Sequence, residues 1–97
     1  MNVIWSARAN QEFTKQTQWL ERNRGNKAVL KYFEEVETAI KRISAPDFVL
    51  YRAVAHNPGL HAYSLNRFTE LYYRLRNRQV EVVSFFDTRQ DPGKRRL

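Results

Sequence analysis

The chain has 97 residues, of which 42% are hydrophobic and 28% charged, enough for one domain with a single thin core. It has no cysteine, which excludes disulfide staples, thiolate catalysis and cysteine-ligated zinc and is compatible with a reducing cytoplasm, where the chain is expected to reside. A net charge of +7 and a pI of about 10.1 point to polyanionic partners.

No apolar run approaches the ~20 residues of a membrane span, and the opening MNVIWSAR lacks the basic and apolar regions of a signal peptide, so no membrane association is expected. Asn2–Trp5 carries the β-formers Val3, Ile4 and Trp5 and reads as a strand. Ser6 offers an N-cap hydroxyl, and a helical pattern follows from Ala7 to about Asn23. Its stripe is Ala9, Phe13, Thr17 and Leu20, with Trp19 beside it and Arg8, Glu12, Lys15, Glu21 and Arg22 opposite. Gly25 suits a left-handed C′ position, and Asn26 is placed to cap a second helix over Lys27–Ser44. There Ala28, Val29, Tyr32, Phe33, Val36, Ile40 and Ile43 recur at helical spacing, and Lys41 and Arg42 oppose the dipole in the last turn. So short a connection predicts an antiparallel helical hairpin.

Ala45-Pro46-Asp47 ends the second helix. Phe48–Ala55 is apolar without alternating and fits either a strand or a packed loop. His56-Asn57-Pro58-Gly59 is a turn. Strands are predicted at Leu60–Leu65, Thr69–Arg76 and Gln79–Phe86, the last two joined by a tight turn at Asn77-Arg78. In Thr69–Arg76, alternation puts Leu71, Tyr73 and Leu75 on one face and Tyr72, Arg74 and Arg76 on the other. In Gln79–Phe86 it groups Val80, Val82 and Phe86 against Val83 and Phe85, so both faces are apolar and the strand is central or doubly covered. The tail from Gly93 is expected to fray. This order predicts an α+β two-layer domain, with an N-terminal strand and a helical hairpin packed on one face of a mostly antiparallel sheet.

The catalytic inventory is thin. His56 and His61 flank a turn, but no third metal ligand accompanies them, so neither metal nor cofactor is expected. His61 has the chemistry of a general acid or base. The acids Glu34, Glu35 and Glu37 lie among lysines and read as helix-surface charge. The basic excess concentrates late in the chain, in Arg67, Arg74, Arg76, Arg78, Arg89, Lys94, Arg95 and Arg96. Arginines on a sheet face can bind a phosphate backbone or stabilise the charge of a pentacovalent phosphate, and Tyr72 or Tyr63 can stack on a base. Arg67, Tyr72, Arg74, Arg76, Arg89 and Lys94 are therefore the candidate binding residues, and Arg74, Arg89 and His61 the candidate catalytic ones.

Three stretches in this order carry a resemblance. VIWSARANQEF at 3–13, LYYRLRNRQVEVVSFF at 71–86 and DTRQDPGKRRL at 87–97 are similar to the opening, the hydrophobic-Tyr-Arg strand with its final hairpin, and the closing R-x-D-P tail of the RelE/ParE superfamily of toxins, often described as plasmid-stabilisation proteins. The resemblance implies a small toxin of a bacterial type II toxin–antitoxin module. Such a toxin arrests growth through a core nucleic-acid process, by poisoning gyrase or blocking translation, and is neutralised by a cognate antitoxin. The alternatives it implies are a RelE-type endoribonuclease that cuts mRNA on the ribosome and a non-toxic nucleic-acid- or protein-binding relative. Arg74 and Arg89 match the family's basic positions. Glu70 stands where the nucleases tend to have a basic residue, His61 replaces a common arginine, and no tyrosine or histidine follows the last strand. These departures weigh against the nuclease.

Overall fold

The computed structural model describes residues 1–45 and 50–87. Its elements are β1 (Asn2–Trp5), α1 (Ala7–Arg24), α2 (Asn26–Ile43), β2 (Arg52–Ala53), β3 (Leu60–Ser64), β4 (Thr69–Arg76) and β5 (Gln79–Asp87). The strands form one mixed sheet in the order β1-β5-β4-β3-β2, in which β1 runs parallel to β5 and the other pairs are antiparallel. The α+β architecture agrees with the sequence reading. Arg52–Ala53 resolves the ambiguous 48–55 stretch as a short edge strand, while Phe48 and Val49 lie outside the described residues.

Local chemistry explains most boundaries. Ser6 caps α1, its Oγ accepting from the Ala9 N–H at 3.0 Å. Gly25, at φ 87°, closes α1 by donating its N–H to the Leu20 carbonyl at 3.0 Å. Asn26 does not cap α2 as its side chain suggested; it is the first helical residue, and Gly25 takes the cap position without a side-chain hydrogen bond. The β4–β5 turn has Asn77 at φ 51° and Arg78 at φ 59°, both left-handed, as a two-residue type I′ hairpin requires.

The main core lies between the helices and one sheet face. Ala9, Tyr32, Val36, Ala39 and Ile43 meet Tyr63, Leu71, Tyr73, Val80, Val82 and Phe85. Phe13 is its aromatic hub, 5.3 Å from Trp5, 5.4 Å from Tyr32 and 5.9 Å from Phe85 between ring centroids. A second cluster of Leu60, Ala62, Tyr72, Val83 and Phe86 occupies the opposite, distal face.

This division corrects the predicted phase of β5. Phe85 joins Val80 and Val82 on the helix side, and Phe86 joins Val83 on the distal side. The cause is a β-bulge. Tyr72 pairs with Ser84 but Tyr73 pairs with Val82, so Val83 is an extra residue in β5 and the alternation changes phase there. β4 keeps its alternation, with Leu71 and Tyr73 inward as predicted, while Leu75 is 37% exposed.

Candidate functional site

Cross-strand register assembles the distal face. Arg52, Ala62 and Tyr72 form one row across β2, β3 and β4, and Leu60, Arg74 and Glu81 form the next across β3, β4 and β5. Arg76 follows two residues beyond Arg74 on the same strand, about 6.8 Å along it. The face thus carries Arg52, Arg74 and Arg76 around an apolar floor, and Arg78 tops the hairpin.

Two ion pairs cross this face. Arg52 Nη2 lies 2.7 Å from Glu70 Oε1, and Glu70 Oε2 accepts a hydrogen bond from the Tyr72 hydroxyl at 2.6 Å. Arg74 Nε lies 3.2 Å from Glu81 Oε1 without an aligned hydrogen bond. Arg76 and Arg78 are exposed and have no ion-pair partner among the described residues.

The predicted site residues separate. Arg74 and Arg76 share the distal face. Tyr72 shares it too, but its ring is floor and not an open stacking platform, at 1% exposure and 6.4 Å from Phe86. Tyr63 is likewise buried in the main core, where its hydroxyl accepts from Arg42 Nη1 at 2.9 Å. Arg67 sits in the β3–β4 turn at the far end of β4, its guanidinium 5.2 Å from the Phe68 ring. The seven steps from Thr69 to Arg76 span about 23 Å, so Arg67 and Arg76 cannot touch one small ligand. His61 pairs with Tyr73 and shares its inward face, 5.6 Å from that ring. Its Nδ1 is 3.1 Å from the Tyr51 carbonyl, which can only accept, so Nδ1 carries the proton. His61 and Arg74 therefore occupy opposite sheet faces and do not converge on one substrate atom. Arg89 and Lys94 lie outside the described residues. Among the described residues, no three His, Cys, Asp or Glu side chains group to hold a metal, and no helix is long and apolar enough to cross a membrane.

A second feature escaped the sequence reading. The helices and the 66–69 turn enclose a groove of two adjoining pockets, of about 390 and 350 Å³, that share Gln16, Trp19, Tyr32 and Thr69. The Tyr32 hydroxyl is buried at its floor and has no hydrogen-bond partner among the described residues. Burial, and then the carboxylates of Glu12 and Glu35, hold that phenol protonated well above its ordinary range. The one hint in the sequence was Trp19 beside the apolar stripe of α1, and it is 39% exposed.

No protein-family profile matches the chain, and no curated protein matches it. Solved structures do. The chromosomal ParDE TA system from P. aeruginosa superposes with a TM-score of 0.74 at 15% identity, over 90% of this chain and 95% of that one. The YoeB/ParE toxin from Agrobacterium tumefaciens gives 0.63 at 12% identity, over 90% and 98%. The heterotetrameric YoeB-YefM toxin-antitoxin complex from Staphylococcus aureus gives 0.59 at 13% identity, over 89% and 94%. The superpositions extend over nearly the full length of both chains, and the chain has the fold of the ParE and YoeB toxins.

Proposed function

We propose that this chain is the toxin of a toxin–antitoxin module, that it arrests growth through a nucleic-acid process, and that an antitoxin neutralises it. The observation that carries this reading is the match in fold over nearly the full length of both chains, to structures described as toxins and toxin–antitoxin complexes. The working surface is the distal sheet face at the β4–β5 end, with Arg74, Arg76 and Arg78. It acts as a binding surface and not as a nuclease centre, because His61, the one histidine among the described strands, is on the other face. Arg74 and Arg76 stand on one face about 6.8 Å apart, close to the separation of neighbouring phosphates in an extended strand.

Inducible expression in a bacterial host, alone and with the product of the adjacent reading frame, tests the proposal. Expression alone should stop growth, co-expression should restore it, and the Arg74→Ala/Arg76→Ala double variant should grow despite normal accumulation. Cellular mRNA should stay intact during the arrest. Unimpaired growth of cells holding folded wild-type protein would refute the toxin reading, and site-specific message cleavage would replace the binding surface with a nuclease.

A further inference from the structure

We propose that Glu81 and Glu70 are specificity-determining residues of the distal face: their carboxylates occupy Arg74 and Arg52 as built-in competitors for the phosphates of a single-stranded nucleic acid. The inference rests on the reading of that face as the working surface. Among the described residues three arginines and two glutamates share it, so most of the positive charge they bring is already answered from within. In both pairs the carboxylate is the less exposed partner, 21% for Glu81 against 41% for Arg74 and 16% for Glu70 against 60% for Arg52. The glutamates lie against the sheet, and the guanidinium groups reach outward over them, with donors left for an incoming anion.

The two locks differ in strength. Glu70 is held by Arg52 and also by the Tyr72 hydroxyl at 2.6 Å. Glu81 is held by Arg74 through Nε at 3.2 Å, without an aligned hydrogen bond. Ion pairs this exposed are weak, whereas a phosphate can take a guanidinium in two parallel hydrogen bonds. Arg76 and Arg78 therefore make first contact, Arg74 exchanges Glu81 for a phosphate next, and Arg52 stays closed longest. A strand gains Arg74 only by displacing Glu81, so wild-type affinity is lower than the number of arginines suggests.

Fluorescence anisotropy of a labelled oligouridylate of about twelve nucleotides, titrated with the full chain between about 50 and 200 mM salt, tests this. Glu81→Gln should tighten binding about fivefold across this salt range, because Arg74 then meets a phosphate without first displacing a carboxylate. Glu70→Gln should tighten it less. Glu37→Gln makes the same charge change on α2, where Glu37 pairs with Lys41 at 3.2 Å on an exposed helix surface, and should shift affinity less than about twofold. Thermal unfolding of each variant separates this role from a merely structural one, which would lower the melting temperature of Glu81→Gln and leave its affinity alone. Equal gains in Glu37→Gln and Glu81→Gln would reduce the effect to net charge and overturn the proposal. Loss of binding in Arg76→Ala with no gain in Glu81→Gln would overturn the competitor role while keeping the face. Unchanged binding in Arg76→Ala would remove the face itself.

Discussion

Glu12 sits on the polar side of α1, among charges that read as solvated. Its Oε1 instead accepts from the Ser84 hydroxyl at 2.8 Å and the Phe85 N–H at 3.1 Å. The reason is the length of β1, whose pairing with β5 stops at Trp5–Val82. Beyond it the edge of β5 needs partners, and α1 supplies them. The Ser6 N–H donates to the Val82 carbonyl at 2.9 Å, the Ser6 hydroxyl donates to the Val83 carbonyl at 2.7 Å, and Glu12 takes the next donors. Glu12→Ala leaves two buried donors unmet and should cost about 2 kcal/mol in urea denaturation, whereas Glu12→Gln keeps an acceptor and should cost about 1 kcal/mol. Equal losses would mean that the carboxylate charge matters more than the acceptor. No helical periodicity reveals this role, since the pattern of α1 reports only which residues avoid water.

The β4–β5 hairpin was legible in sequence because alternation and a two-residue polar turn are local signals. Its turn is chemically imperfect. Arg78 holds φ 59°, a conformation that costs an L-residue with a Cβ roughly 1–2 kcal/mol, and the type I′ turn prefers glycine there. Arg78→Gly should stabilise the protein by about 1 kcal/mol and raise its melting temperature by about 4–8 °C. An unchanged melting temperature would show that the Arg78 side chain offsets its own backbone strain. The β5 phase was not legible, because the bulge at Val83 lies in the pairing with β4, beside the Ser6 groups that hold Val82 and Val83. A run of Val-Glu-Val-Val-Ser-Phe-Phe contains no signal for the residue at which the alternation slips.

At the scale of the molecule, two phenols couple the core to pH. Burial raises Tyr32, assisted by Glu12 and Glu35; burial also raises Tyr73, against the opposing hydrogen bond its oxygen accepts from the Tyr51 N–H at 3.0 Å. An unfolded tyrosine releases its proton near pH 10, while these two stay protonated in the folded chain above that pH. The unfolded state then binds fewer protons than the folded one, so stability is complete below about pH 10 and declines as the pH rises beyond it. Tyr32→Phe removes a buried hydroxyl that has no partner among the described residues. It should leave stability at neutral pH unchanged or slightly higher and flatten the decline between about pH 9 and pH 11, read by urea unfolding at each pH. An unaltered alkaline decline in Tyr32→Phe would assign the effect to Tyr73.

The sequence alone determined the α+β class, the helical hairpin, the β4–β5 hairpin and the identity of the arginines on one face of β4, because helix and strand periods, caps and turns are set by neighbouring residues. Tertiary structure decided the parallel pairing of β1, the bulge, the burial of Tyr72, the placement of His61 away from Arg74 and the ion pairs that occupy Arg52 and Arg74. Each of these depends on which residues from distant parts of the chain meet across a sheet or between layers, and that is fixed by the collective burial of both faces, not by any local pattern.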